Sequence, residues 1–480
     1  MIQIALIATL PAIVAILGLF PRTAAWLPRA AATLMVLQVP LVAFICCPVF
    51  SGARISWGQF AIDGLGAAFT CITTIVVAAA MVQASFLLPA EREHYPMSDR
   101  RFCLFYTLAG LFVVAMYAVP LAQHLGYLWM ALEATTLMSA PLVDFHRSRS
   151  SLEATWKYLL LCSVGIAFAL FGTIVIFAAQ HSSGAEGSLS IGALTEAAAR
   201  LDPKMLRVGF VLCLLGYGTK AGIFPLHNWL PDAHSEAPTP VSAMLSGALL
   251  NCALVAIWRV SQIVTSGGQG DFVRGLLVPA GAITVVAASL MLVRQQDLKR
   301  LWAYSSVEHV GLLVVAIGLG AGPVLVLHSI NHSLAKTALF LMSGNVLQVF
   351  GTRTLSKITG ILRLAPLWGM VLVGGGFAIA GSPPFGTFLS EWLLLKASFA
   401  RGQVFASISL VGGLAVAFLA ITSHLAPLVL GSEPAKVLSP PRRRWAVVPT
   451  LLLGASLAAG LAVTPSAMAL LRSLVGVSAR

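Results

Sequence analysis

Polar positions in this chain are sparse, and the stretches between them run apolar for about twenty residues, the length a helix needs to cross a hydrocarbon core of roughly 30 Å. Fourteen such runs can be drawn, at about 1–20, 30–48, 61–88, 102–120, 124–143, 155–179, 205–228, 237–260, 272–293, 301–319, 323–350, 366–396, 403–430 and 445–471. Several exceed the minimum length, which predicts tilt, breaks or turns beyond the membrane. The first run, Ile2 to Phe20, has no basic lead-in and no clear cleavage site, so it is expected to be a retained helix rather than a signal peptide. One connection, Gln180 to Pro203, reads as a small polar excursion. Neither a G-x-G-x-x-G loop nor a Walker loop is present, so the chemistry is expected to fit inside the bundle.

Composition agrees. Of 480 residues, 58% are apolar and 10% charged, with a mean hydropathy of +0.90, whereas soluble domains carry about 25% charged residues. This excludes a soluble enzyme, a disordered chain and a nucleic-acid binder. The net charge of +13 is spread over many short segments. Eighteen Lys and Arg fall in loops after odd-numbered runs and eight after even ones, which predicts odd loops in the cytoplasm and both termini outside. The exception is 229–236, read as a loop, which carries Asp232, His234 and Glu236 without a base. The seven cysteines all lie in apolar runs and none forms a C-x-x-C pair, so neither a redox cluster, a structural metal nor a disulfide framework is expected.

Once these loop bases and the C-terminal Arg472 and Arg480 are set aside, two of the 30 Lys and Arg remain, Lys220 and Lys336, each within a long apolar run. A charge at mid-membrane costs about 2.5–3.5 kcal/mol on insertion scales, so such groups face a cavity or a partner. Lysine is readily made neutral by burial, which suits a reversible proton carrier. Glu133, in LWMALEATTL, is the natural partner of Lys220: separating them would favour the neutral amine and release a proton. A static pair that only fixes packing is the alternative. His328, His332 and Lys336 follow one another at steps of four, on one helical face over about 12 Å, and imidazole can accept at one nitrogen while donating from the other. A His-x-x-x-His pair can also bind zinc, but no third ligand is evident, and hydrogen-bonded packing histidines are the plain alternative. Glu308 and His309, near the cytoplasmic end of the tenth run, either admit protons or sit at the interface. Glu391 in the twelfth run is a candidate terminal donor or acceptor. Asp63 and His424 show no partner pattern and are expected to be structural. The seventh and twelfth runs are interrupted by Pro225 and Pro231, and by Pro383 and Pro384. Paired interruptions point to inverted repeats. The expected fold is an all-α polytopic membrane protein of about fourteen helices: helices 1–3 over 1–100, repeats over 101–262 and 263–432 with broken helices seven and twelve, and a last helix over 433–480.

At these residues the chain resembles a known family. GYGTKAGIFPLHNWLPDAHSEAPTPVSAMLSG, DLKRLWAYSSVEHVG, HSINHSLAKTALFLMSGN and GSPPFGTFLSEW look like the antiporter-like, proton-translocating subunits of respiratory complex I and the Mrp cation/proton antiporters, over about residues 60–430. PDAHSEAP, SGALLNCAL and SSVEH resemble, more narrowly, the component F subunits of hydrogenase-4, from group 4 membrane-bound nickel–iron hydrogenases. The resemblance implies a relay of Glu133, Lys220, His309, His328, His332, Lys336 and Glu391. Many family members carry a lysine where this chain has Asn251, which cannot titrate, so His234 or water would serve the central step. With so few residues after its fourteenth run, the chain is expected to differ from the largest complex I relative in lacking that subunit's long lateral helix. The resemblance further implies a bacterial inner membrane, other membrane subunits, soluble iron–sulfur and possible nickel–iron partners, and no cofactor or redox centre in this chain. A non-pumping scaffold, supported by Asn251, and a cation/proton antiporter or inorganic-carbon uptake subunit remain the alternatives.

Overall fold

In lipid no water satisfies backbone N–H and C=O groups, so apolar runs of this length must close their hydrogen bonds internally, as helices. The computed structural model of the chain describes residues 2–94, 97–182, 187–432 and 437–475. Lys436 and Arg480, counted among the loop and tail charges, lie outside the described residues. The helices are α1 Ile2–Leu17, α2 Leu27–Phe50, α3 Gly64–His94, α4 Asp99–Leu121, α5 Leu125–Val143, α6 Arg149–Ser182, α7 Ile191–Ala197, α8 Pro203–Ala221, α9 Trp229–Glu236 and α10 Thr239–Met244. They continue as α11 Leu250–Val264, α12 Gly270–Leu292, α13 Leu298–Gly318, α14 Gly322–Phe350, α15 Ile361–Leu364, α16 Pro366–Ile379, α17 Gly386–Ala400, α18 Val404–Leu430, α19 Val447–Leu461 and α20 Pro465–Leu474.

Each of the fourteen apolar runs is helical. The seventh breaks after α8 and resumes as α9 just beyond its expected end, the twelfth is split into α16 and α17 and the fourteenth into α19 and α20, and α10 continues into α11 through a π-helical turn at Leu245–Leu249. Among the described residues, nine helices are long and apolar enough to cross a membrane by themselves; Ile2–Leu17 and Pro366–Ile379 are shorter apolar helices. The expected excursion contains α7. A second one went unseen in the sequence: Ile55–Trp57 pairs antiparallel with Phe60–Ile62 across a tight turn at Gly58, whose φ of 57° suits a residue without Cβ.

The apolar stretches of α13 and α14 are 94% buried, against 39% for those of α2, α6 and α18. Polar side chains on α13 and α14 therefore face protein, not lipid. Close backbone approach holds α12 against α13: a Cβ on Gly281 would sit 2.6 Å from the Gly311 carbonyl, so only small residues fit there.

The two breaks are built alike. Gly222, at φ 83°, ends α8, and Gly381, at φ 65°, follows α16; each stands three residues before the proline of a cis X-Pro bond, Phe224–Pro225 and Pro383–Pro384. A left-handed glycine with amides folding back on the last turn is a common helix stop. Gly222 N–H and Ile223 N–H both donate to Gly218 O, at 2.9 Å each, and Ser382 N–H donates to Phe377 O at 3.0 Å.

Two expectations from loop charge are corrected. Residues 229–236 are not a loop but the second half of the broken helix, and their acids are paired: Asp232 with Lys157 at 3.1 Å and Arg300 at 2.7 Å, Glu236 with Arg353. The three bases belong to odd-numbered loops, so acids and bases meet on one face and the exception in the charge count has a local cause. Arg259 is not a loop charge either. It is buried in α11 and makes a two-pronged pair with Asp63, at 2.9 and 3.1 Å, while also donating to Pro120 O. His424 Nε2 lies 3.1 Å from Leu292 O, so both groups expected to be structural have structural partners.

Burial pushes the Asp63 carboxyl up, but Arg259, the Gly66 N–H and Gln123 outweigh it and hold it below its ordinary value. A depressed carboxyl contributes stability above its unfolded value, about 3.9, which is lost as pH falls through the folded value. Detergent-solubilised Asp63→Asn is therefore expected to lose less melting temperature than the parent between pH 5 and 3, taken as roughly the range of carboxylate titration. Arg259→Leu should destabilise by about 1–3 kcal/mol at neutral pH, below the value for a fully buried pair because Asp63 is partly exposed. Equal acid sensitivity of Asp63→Asn and the parent would remove the pair from the stability account.

Candidate proton pathway

Lys220 occupies the last turn of α8, fully buried. Its Nζ donates to Thr136 Oγ1 and, at 3.3 Å, to Tyr158 Oη, whose ring it also approaches at 5.3 Å. Tyr158 stacks on Trp229 at 4.7 Å, and Trp229 Nε1 donates to Thr219 O at 2.8 Å, so the start of α9 braces the end of α8. Glu133 does not touch Lys220 directly. Thr136, one turn along α5, stands between them: its hydroxyl receives from Lys220 and donates to Glu133 Oε2 at 3.5 Å, and Ser163 donates to Glu133 Oε1 at 3.1 Å. The expected close pair is thus a hydroxyl-bridged one, with Glu133 only half-buried. A hydroxyl that both accepts and donates can pass a proton between groups that never meet.

The second cluster forms at the other break. Ile379 O would normally accept from the amide four residues on, but that residue is Pro383 and has no N–H. His309 Nε2 takes the vacant acceptor at 2.9 Å. A carbonyl only accepts, so Nε2 carries the hydrogen and Nδ1 of a neutral His309 must accept. Its partner is His328 Nε2 at 2.8 Å, and His328 Nδ1 lies 2.8 Å from Ser390 Oγ. The neutral chain therefore has one polarity: Ser390 to His328 to His309 to Ile379 O. Of the two readings of Glu308 and His309, a place at the membrane interface does not fit, because both are buried in the middle of α13.

His328, His332 and Lys336 do share a face of α14, and that face meets α13. The His332 ring lies 5.0 Å from that of His309, and Lys336 Nζ donates to Trp302 O at 2.8 Å. Both His332 nitrogens, Glu308 Oε2 and Glu391 Oε1 are buried without a protein hydrogen-bond partner among the described residues. Glu391 comes so close to Gly381 that a Cβ there would collide with its carboxylate. Ligand atoms of His309, His328 and Glu391 all lie within 4.8 Å of one another. Asn251 follows the π-helical turn of the eighth span; its amide donates to Ser333 Oγ at 2.9 Å and Gly247 O at 3.0 Å, while the next residue, Cys252, lies in the field of Lys220. This one helix therefore separates the two clusters. His234 is fully buried, stacks on Phe340 at 5.1 Å and lies within electrostatic reach of Lys299 and Lys336.

Loop-charge reasoning missed Lys299. It is buried at the start of α13, donates to Ser235 O at 3.1 Å and to Ala237 O, and lines a cavity of about 730 Å³ together with Glu91, Arg101, His146, Glu236 and Arg353. The cavity joins the charged face to the α9–α10 junction, next to His234. Thr136, Tyr158 and Ser390 were also missed. Thr136 is three residues from Glu133 and Ser390 adjoins Glu391, so helical spacing was the available signal.

Comparison with known proteins follows the same lines. The family described as NADH:quinone oxidoreductase/Mrp antiporter, TM, matches residues 122–416. The chain is 37% identical over 358 residues to a hydrogenase-4 component F homolog of Methylacidiphilum infernorum (isolate V4), covering 74% of this chain and 75% of that one. It is 30% identical over 376 residues to NADH-quinone oxidoreductase subunit N of Desulforudis audaxviator (strain MP104C), covering 76% and 72%. Its fold is that of a chain in the membrane-bound sulfane sulfur reductase, an archaeal respiratory membrane complex, with a TM-score of 0.86 at 24% identity over 98% of this chain and 97% of that one.

Gly381→Ala tests the second break. It forces a side chain into positive φ and against Glu391, and should cost about 1–3 kcal/mol. Gly412→Ala is the control, because a Cβ there meets open space. A lower melting temperature in detergent is expected for the first substitution only; equal stability of the two would show that Gly381 is not needed for the packing.

Proposed function

The chain belongs to the NADH:quinone oxidoreductase/Mrp antiporter transmembrane family, and from that premise we propose that it is a proton-translocating membrane subunit of a redox-driven complex of the hydrogenase-4 and complex I kind. One observation carries the reading: two clusters of buried titratable side chains, each assembled at a break in a helix inside a bundle otherwise made for lipid. Inside a membrane such groups are expensive, and they are usual only where ions or protons move.

In the proposed mechanism a partner drives a shift of α5 against α8 that lengthens the Glu133–Thr136–Lys220 bridge. Lys220 then gives up a proton. The proton moves past Asn251 and Ser333 through bridging water, reaches the His328, His332 and Lys336 face with its His309 contact, and leaves by way of Glu391. Uptake proceeds from the Lys299 cavity through His234. The atoms left without protein partners are where bridging water belongs, because a buried polar group needs a hydrogen bond. The units 101–262 and 263–432 act as repeats, with Lys220 and the Ile379 carbonyl at corresponding points, two residues before Gly222 and Gly381. The proposed setting is a bacterial inner membrane, both termini periplasmic. Other membrane subunits and soluble iron–sulfur partners, nickel–iron included, would supply the energy, with no redox cofactor in this chain. Sodium is the alternative coupled ion, and an antiporter or inorganic-carbon uptake role the alternative setting. Asn251 favours a second reading, a scaffold with a closed channel, because its amide is held by two acceptors and cannot titrate.

Lys220→Met in the whole complex, reconstituted in proteoliposomes with a pH-sensitive dye, is expected to abolish proton movement while subunit composition stays intact. Thr136→Val removes a hydrogen bond to a charged group, about 1.5–3 kcal/mol, and should slow translocation roughly tenfold or more. Undiminished pumping by Lys220→Met would refute the relay, and complex dissociation without a pumping defect would favour the scaffold.

A further inference from the structure

We infer that His309, His328 and Glu391 form a buried site for one zinc-class divalent cation, which takes the place of the hydrogen shared by the two imidazoles. Three observations carry this. The three side chains come from α13, α14 and α17, and their ligand atoms lie within 4.8 Å of one another. Glu391 is 7% exposed, and its Oε1 has no protein partner among the described residues, so a carboxyl group points into the cluster without a hydrogen-bond partner at that oxygen. Finally, each imidazole already has an oxygen partner at its outer nitrogen: His309 Nε2 donates to Ile379 O at 2.9 Å, and His328 Nδ1 lies 2.8 Å from Ser390 Oγ. Such outer partners fix ring and tautomer when histidine binds a metal through its other nitrogen.

The inner nitrogens, His309 Nδ1 and His328 Nε2, are 2.8 Å apart. Tetrahedral zinc, with Zn–N of about 2.0–2.1 Å, needs them about 0.5 Å further apart, a small shift for two side chains. Glu391 ligates as the carboxylate, so a carboxyl that is neutral before binding releases its one proton to solvent, while the imidazole hydrogens need no outside acceptor. His328 moves its hydrogen from Nε2 to Nδ1 and donates it to Ser390 Oγ. Ser390 turns its own hydrogen to Thr387 O, already 2.8 Å away. His332, whose ring lies 5.0 Å from that of His309 and whose two nitrogens lack protein partners among the described residues, stands beside the site. Two imidazoles and a carboxylate select zinc-class ions over sodium or magnesium. Lys336 lies within electrostatic reach of His309 and His332, so a bound cation and a protonated amine repel each other and binding competes with protonation of the relay. In that consequence alone, blockade of transport, the inference rests on the proposed function.

The test uses the full chain in its complex, purified without a polyhistidine tag. Zinc chloride is titrated calorimetrically, bound metal is counted by mass spectrometry, and X-ray absorption reports nitrogen and oxygen ligands. One zinc per chain is expected, unaffected by a large excess of sodium. Glu391→Gln and His328→Gln should abolish stoichiometric binding. Ser390→Ala, which removes only the outer partner, should weaken it roughly 10- to 100-fold. His181→Gln, exposed and remote in sequence, should leave it unchanged. Melting temperature and gel-filtration profile establish that each variant is folded. Absence of stoichiometric binding, or binding indifferent to Glu391→Gln, His328→Gln and Ser390→Ala in folded protein, overturns the site. Bound zinc that stops proton movement supports both the site and the relay. Zinc held by these three side chains with pumping undiminished upholds the site and refutes the passage of protons through the His309–His328 contact.

Discussion

A carbonyl buried in lipid-embedded protein must find a donor, and at Ile379 the helix cannot supply one because Pro383 has no amide hydrogen. The side chain that fills the gap is His309. That one substitution of imidazole for amide fixes the tautomer of His309, hence the direction of its bond to His328, and hence the role of Ser390. The hydrogen-bond order of the His309–His328–Ser390 row therefore follows from breaking a helix at a proline.

The first break follows the same logic with different parts. Phe224 N–H, beyond the end of α8, donates to Thr284 Oγ1 on α12, and Trp229 Nε1 returns to Thr219 O. Lys220 is left at the lip of the opening, held by the hydroxyls of Thr136 and Tyr158 rather than by a carboxylate. Neutral hydroxyls hold an amine in either protonation state, whereas a direct ion pair would bind the charged form far more strongly. Glu133 reaches Lys220 only through the Thr136 hydroxyl.

Much of this was legible in the residues. Periodic apolar length located all fourteen helical runs, because lipid imposes that length on any crossing segment. Lys220, His328, His332, Lys336 and Glu391 stood out because ionisable groups are rare in such runs, and the structure buries all five. Less visible was whatever depends on neighbours from other helices. Arg259 looked like a loop charge because Asp63, nearly two hundred positions earlier, gives no local sign of reaching it. Residues 229–236 looked like a loop because acids without bases suggest solvent, whereas their bases lie at Lys157, Arg300 and Arg353. The metal reading of His328 with His332 lacked a third ligand along the helix; across the interface, His309 and Glu391 stand beside His328.

The polarity of the imidazole chain carries a further consequence. A carbonyl oxygen cannot take a proton onward, so the row that ends at Ile379 is a cul-de-sac. A charge that hops onto His309 must retreat the way it came, or the ring must swing free of its anchor before passing it elsewhere. Within the proposed relay, His309 is then a side pocket for a proton, filled and emptied through His328, rather than a stage that every proton must cross.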